Sequence, residues 1–199
     1  MLYCLIYLFK PLLWLIFRPK VYGNKKALNT KGKVIFICNH INLLDPIVIA
    51  IVSPRLIHFM AKKELFRSKI AAFFLKTVLV FPVDRGSADL KSLKKALNLL
   101  DKGKAFGIFP EGRRMVADRM DEFELGTAFI AMRSQAPVVP IYIHNRSFSG
   151  GGIKLIVGDP IYAEESKMAV SRRENEVLLM QRMKNTLVRL KKELEEKCS

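Results

Sequence analysis

The sequence predicts an α/β domain with a mostly parallel or mixed central sheet flanked by helices, preceded by a short N-terminal membrane-embedded helical segment. Three observations lead there. From about residue 30 onward, short apolar runs of strand length alternate with stretches of helical periodicity. The chain has 199 residues, half of them hydrophobic and 26% charged, which suits one compact core. The first residues, 2–17, are apolar except for Lys10.

The N-terminal run comes first. A helix over its length reaches roughly 24 Å, short of the roughly 30 Å hydrocarbon core of a bilayer. Lys10-Pro11 interrupts its middle, where a charge is costly and a proline kinks. The expectation is a bent helix or short helical hairpin that dips into one leaflet. A tilted single span and a helix packed on the protein's own core are the alternatives. No basic stretch precedes the run and no small-residue cleavage site follows it, so a cleaved signal peptide is not expected. Arg18, Lys20, Lys25 and Lys26 follow, which puts the remaining chain on the cytoplasmic side. The expected division is 1–26 as membrane anchor and 27–199 as the α/β domain.

Within that domain, 34–38 is a continuous apolar run, and 55–61, 78–83, 105–109, 138–143 and 153–157 read likewise as strands. Between them, 46–52, 69–76 and 89–100 suit helices; in the last, Leu90, Leu93, Leu97 and Leu100 recur at helical steps. This alternation is the pattern of helices packed on a mostly parallel sheet. The tail, 170–197, carries Val177, Met180, Met183, Leu187, Leu190 and Leu194 at steps of three and four. It reads as an amphipathic helix capping the sheet, with a helix lying on the membrane as the alternative.

Charge narrows the partners. The net charge of +16 favours an anionic bilayer, a phosphate- or CoA-bearing ligand, or nucleic acid. The aromatic residues sit mostly in apolar runs instead of alternating with Arg and Lys, which argues against base stacking and so against nucleic acid. Three cysteines, Cys4, Cys38 and Cys198, make no disulfide framework and fit a reducing compartment. His40, His58 and His144 form no zinc-ligand spacing with them, so no metal site is expected.

The most informative stretch is Asn39-His40-Ile41-Asn42-Leu43-Leu44-Asp45-Pro46. It follows a strand pattern and precedes a helix, at the carboxyl end of a strand, where open α/β sheets place ligands. A histidine deprotonates a hydroxyl well when one ring nitrogen faces it and the other donates to a fixed acceptor. Asp45, across a tight turn, can be that acceptor. Read without that chemistry, Asp45-Pro46 is a helix N-cap and first-turn proline, and His40 a buried histidine. Cys38 sits two residues before His40, so a thiol nucleophile with a histidine base is a competing geometry; the plainer reading is a small buried hydrophobe.

A second stretch, Phe109-Pro110-Glu111-Gly112-Arg113-Arg114, also ends a strand pattern. Gly112 allows close backbone approach, and an arginine fork matches a phosphate. Alternatively, this is a polar turn with a surface ion pair. Lys62 and Arg85 lie at two further strand ends, where a lone basic residue is commonly a solvated charge.

Taken in order, these segments resemble the lysophosphatidic acid acyltransferase family of glycerolipid acyltransferases. Asn39-His40 with Asp45 is similar to its first motif, 81–85 ending in Arg85 to its second, and 109–114 to its third. The proline-bearing strand 138–142 and the Gly158-Asp159-Pro160-Ile161 turn resemble later family features. The resemblance implies direct transfer of a fatty acyl group from acyl-CoA or acyl carrier protein, with no other cofactor. The acceptor it implies is the sn-2 hydroxyl of 1-acylglycerol 3-phosphate, or else glycerol 3-phosphate or another lysolipid. It implies His40 as general base oriented by Asp45. Lys62, Arg85 and Arg114 would meet the acceptor's phosphate, Glu111 would help position its glycerol backbone, and Gly112 would be a further substrate-binding position. Asn42, Arg113 and Glu124 depart from the residues the family commonly has, Arg113 leaving open which arginine meets the phosphate. A reading of another class, a non-enzymatic basic protein that binds membrane or nucleic acid, rests on the charge alone.

Overall fold

The computed structural model describes residues 4–84, 89–114, 122–148, 152–166 and 171–198, with the backbone alone for 4–8. Seven strands form one sheet: β1 (Lys20–Gly23), β2 (Val34–Cys38), β3 (Ile57–Lys62), β4 (Val80–Val83), β5 (Ala105–Ile108), β6 (Val138–Ile143) and β7 (Lys154–Val157). Their spatial order is β1-β7-β6-β2-β5-β3-β4. β6, β2, β5, β3 and β4 all run parallel. β7 runs antiparallel to β6 and carries β1 parallel to itself, so the sheet is mixed at one edge.

Among the described residues, six α-helices accompany it: α1 (Cys4–Phe17), α2 (Asp45–Val52), α3 (Lys69–Thr77), α4 (Leu90–Asp101), α5 (Leu125–Ser134) and α6 (Arg172–Glu196). The two sheet faces make two cores. On one, Val34, Phe36 and Cys38 of β2 pack with Val48 and Ile49 of α2 and, at the margin, with Phe17 and Leu75 from the ends of α1 and α3. On the other, Ile35 and Ile37 pack with Leu100 of α4, Ile130 of α5 and Leu187 of α6. A central parallel strand buried on both faces is why β2 reads as an unbroken apolar run. From β2 the chain proceeds through β3 to β4 in one direction; from β5 it crosses to β6 in the other. Adjacent β2 and β5 therefore bracket the topological switch point, where the carboxyl ends of the strands open a crevice.

The expected strands are present, β2 and β6 with the ends expected and the others with shifted ends. β3 starts at Ile57 because Arg55 turns aside to donate to the carbonyls of Gly32 (2.8 Å) and Gly103 (3.1 Å). β4 starts at Val80 because Leu79, at φ +60°, makes the left-handed turn out of α3. In α6 the buried stripe is Leu179, Met183, Leu187, Leu190 and Leu194, with Val177 exposed, so the helix covers the sheet as expected and not a membrane. β1 and α5 were not expected. β1 is a short, half-exposed edge strand, and it places sheet structure inside the expected 1–26 anchor. The Gly126-Thr127 pair weakens the helical pattern of α5, which tertiary packing nevertheless buries.

The N-terminal run forms one 14-residue helix that continues through Pro11, not a hairpin. No helix among the described residues is long and apolar enough to cross a membrane. Lys10 Nζ donates to the Ser53 carbonyl at the end of α2 (2.6 Å), so one flank of α1 rests on α2. Phe9, Leu12, Leu15 and Ile16 remain exposed.

Candidate active site

The loop between β2 and α2 carries the site, and each of its first residues is held by a different element. Asn39 is fully buried. Its side-chain amide donates to the Ile143 carbonyl (2.9 Å) and accepts from the Ile143 N–H (2.8 Å), extending the β2–β6 ladder by one amide as the main chain departs. The His40 N–H donates to Glu111 Oε2 (3.2 Å), and Glu111 is itself buried just beyond β5. The imidazole stacks on Phe109, with ring centroids 4.2 Å apart and planes at 21°. Phe109 in turn stacks on Phe59 at 6.0 Å. Phe59 lies where a side chain at position 107 would be, which is what Gly107 provides.

Asp45 completes the arrangement. Its Oδ2 lies 2.8 Å from His40 Nδ1 and accepts from the N–H groups of Ile41 (2.7 Å) and Asn42 (2.8 Å). The carboxylate is fully buried, while the histidine side chain keeps 15% exposure. The N-cap reading of Asp45 is corrected: Leu44 holds the N-cap position of α2 without a side-chain cap, and Asp45 opens the first turn facing backward to the loop. A carboxylate bound to Nδ1 fixes the tautomer and leaves Nε2 to accept a proton.

The thiol alternative does not survive the geometry. β2 ends at Cys38, so Cys38 and His40 do not share one extended strand. Cys38 is fully buried, and desolvation, reinforced by the charges of Asp45 and Glu111, pushes its thiol well above the ordinary range. A thiol kept protonated is a poor nucleophile.

The strand order sets the other residues in a row along the same edge: His40 after β2, Glu111 after β5, Lys62 at the end of β3, then the end of β4. Neighbouring strands lie about 4.8 Å apart, which places the Lys62 backbone roughly 10 Å across the crevice from β2. Lys62 is exposed, with Nζ 3.6 Å from Glu64, whereas Lys63 is engaged by Asp84. Arg85 lies outside the described residues. Gly112 has φ +67°, and a Cβ there would fall 2.0 Å from Glu124 Oε1, so its close approach serves Glu124. Arg113 and Arg114 are both exposed.

Sequence reasoning missed three contributors. Phe109 and Phe59 are legible only as apolar residues, although Phe109 sits inside a motif that was singled out. Asp89 was read as helix; it caps α4 by accepting from Ser92 N–H (3.0 Å), and it also accepts from Asp84 N–H (2.9 Å). These bonds hold its carboxyl at about 2. They tie together the ends of the stretch that carries Arg85. On the α4–α5 side of the sheet a cavity of about 290 Å³ opens, lined by neither His40 nor Asp45 but linked to the histidine through Phe109. Met60, Leu90, Leu93, Ile108 and Ile130 line it.

A partly exposed histidine paired with a buried carboxylate, at the switch point of an α/β sheet where such folds place ligands, marks this crevice as the candidate active site of an α/β enzyme. Comparison with known proteins makes this specific. A family model described as Acyltransferase matches residues 18–144, and the chain belongs to that family of acyltransferases. It is 38% identical over 149 residues to the 1-acyl-sn-glycerol-3-phosphate acyltransferase of Bacillus subtilis (strain 168), covering 72% of this chain and 73% of that one. It is 30% identical over 133 residues to the protein of the same name from Streptococcus pneumoniae (strain ATCC BAA-255 / R6), covering 65% and 49%. The fold matches the crystal structure of the 1-acyl-sn-glycerophosphate acyltransferase PlsC from Thermotoga maritima. The TM-score is 0.72 at 20% identity, over 98% of this chain and 78% of that one.

Proposed function

We propose that this acyltransferase moves a fatty acyl group from a thioester, acyl-CoA or acyl carrier protein, to the sn-2 hydroxyl of 1-acylglycerol 3-phosphate, giving phosphatidic acid. The observation that carries the reading is the His40–Asp45 pair, linked through Phe109 to the apolar cavity. Nε2 takes the acceptor's hydroxyl proton as the oxygen attacks the thioester carbonyl carbon. The tetrahedral oxyanion collapses, the C–S bond breaks, and the imidazolium returns the proton to the leaving thiolate. Asp45 stabilises the imidazolium between those steps. The cavity suits the apolar chain of an acyl group, since such pockets are lined by apolar side chains with a few polar groups at the reacting end.

Lys62, Arg85 and Arg114 are the cations proposed for the acceptor's phosphate. Glu111, which accepts from the His40 N–H, acts here as a positioning residue for the catalytic loop, and Gly112 turns the chain toward the crevice. Residues 1–26 are proposed to bind the cytoplasmic face of the membrane through the exposed flank of α1, with 27–199 catalytic. The relatives' names support the acceptor, and the +16 charge suits an anionic lipid surface.

The test is transfer of labelled acyl groups by purified protein to 1-acylglycerol 3-phosphate, glycerol 3-phosphate and an unphosphorylated monoacylglycerol, with acyl-CoA and acyl carrier protein as alternative donors. The expected order of kcat/KM places 1-acylglycerol 3-phosphate first. Preference for the unphosphorylated acceptor would refute the phosphate assignment.

A further inference from the structure

We propose that α3 is a second bilayer-contacting element, separate from α1, that enters the headgroup region of an anionic membrane on the other side of the catalytic loop. The proposal deepens the membrane reading above. None of the nine residues of α3 is buried. Ile70, Phe73 and Phe74, at spacings of three and four, share one face and are 84%, 63% and 55% exposed. Leu75 points the other way, toward the sheet core, together with the flanking Phe66 and Val78. The helix therefore seats one side on the sheet and turns an isoleucine and two phenylalanines outward, and Leu65 just before it is exposed as well.

The charge around this stripe names the partner. From Lys62 to Thr77 the chain carries Lys62, Lys63, Arg67, Lys69 and Lys76 against a single acid, Glu64. An outward aromatic and aliphatic face flanked by lysines is the composition of a helix that lies in the interface of an anionic bilayer. A second copy of this chain is the poorer occupant, because two stripes flanked by such charge on a +16 chain repel each other. Position supports the same choice. α1, α2 and α3 lie on one face of the sheet, with α2 contacting α1 and the exposed Leu43 and Leu44 ending the catalytic loop. Contact through α1 and α3 together would set that loop against the membrane, so that a lysolipid could present its hydroxyl to His40 while its acyl chain stays in the leaflet.

The test uses the full chain and vesicles of equal parts phosphatidylglycerol and phosphatidylcholine. In a Trp14→Phe background, a Phe73→Trp substitution supplies the sole indole. Its fluorescence should shift blue on vesicle addition and be quenched by lipids brominated near the headgroup end of the acyl chain. Separately, the Ile70→Ser/Phe73→Ser/Phe74→Ser variant should bind these vesicles at least about tenfold more weakly. It should lose a similar factor of activity on vesicle-borne lysolipid while keeping activity on a dispersed short-chain acceptor. A Val177→Ser/Leu178→Ser control on the exposed face of α6 should change neither. An unquenched indole with unchanged binding overturns the proposal. So does equal loss on both acceptors, which marks a structural role, or a wild-type dimer abolished by the triple substitution. Absence of transfer by the wild type to either acceptor would sink the catalytic reading instead, and the quenching result would still stand on its own.

Discussion

Replacing Asp45 by asparagine separates the two roles of this carboxylate. In the wild type one oxygen accepts from His40 Nδ1 and from two backbone N–H groups, all within 2.8 Å. The asparagine carbonyl can still accept from Ile41 and Asn42, but as a neutral group. Hydrogen bonds to charged groups contribute about 1.5–3 kcal/mol and neutral ones about 0.5–1.5, so two such exchanges lose about 2 kcal/mol. Relief from burying a charge offsets part of this, leaving an expected destabilisation of about 1 kcal/mol. The rate should suffer far more. An amide oxygen in that position keeps all three contacts but, being neutral, stabilises the imidazolium far less; turning the NH2 to Nδ1 instead selects the tautomer that protonates Nε2 and gives up both backbone bonds. The equivalent change in serine protease triads lowers kcat about 10⁴-fold, or roughly 5.5 kcal/mol of barrier. Steady-state kcat on 1-acylglycerol 3-phosphate and urea unfolding of the same preparation measure both quantities. Activity within tenfold of wild type would refute the dyad, and an unfolding loss large enough to empty the native state would refute the separation of roles.

Asn39→Ala should be the costlier change for stability, because it strands the N–H and C=O of buried Ile143, at about 1–3 kcal/mol each; denaturant titration reads it. Cys38→Ala should keep near-wild-type kcat, and native Cys38 should resist iodoacetamide at pH 8 while the urea-unfolded chain reacts. Burial lowers the His58 pKa below its usual 6.5, so the unfolded chain takes up this proton first as pH falls. Stability should therefore be full above pH 6.5 and decline from there toward the folded pKa, and His58→Gln should flatten that slope. Arg114→Ala should raise the acceptor KM about tenfold or more, in line with one charge-assisted phosphate contact, and leave the donor KM unchanged.

The parts of the fold legible in sequence were those where periodicity and burial agree. β2 and β6 are buried at every position and read as continuous apolar runs with correct ends. Strand starts failed where a local contact outweighs propensity: the Arg55 guanidinium reaching the carbonyls of Gly32 and Gly103, and the left-handed Leu79. β1 could not be read because four residues at an edge have little pattern, and its pairing with β7 joins segments far apart in the chain. At the site, His40, Asp45 and Glu111 were legible as chemical types near strand ends. That Asp45 faces back into the loop depends on backbone geometry, which residue spacing does not encode. The ring under His40 was hidden because a phenylalanine closing a strand looks the same whether it fills the core or supports an imidazole.

Four contacts from three parts of the fold converge on two consecutive residues of one loop, and this convergence bears on mechanism. Asn39 is tied to β6, the His40 N–H to Glu111 beyond β5, the imidazole face to Phe109, and Nδ1 to the first residue of α2. With its plane set by Phe109 and its rotation set by Asp45, the ring has little orientational freedom left to lose when the acceptor binds. The enzyme lends no nucleophile of its own in this scheme, so its contribution to the hydroxyl step rests on where Nε2 points. Weakening a support without touching the substrate should therefore lower kcat and leave KM nearly constant. Glu111→Gln and Phe109→Leu are the two substitutions that act in this way, one through the His40 N–H and the other through its ring face. Since both act through the same ring, their combined effect should be smaller than the product of the separate losses. Independent, multiplicative losses would mean that Glu111 or Phe109 meets the substrate itself.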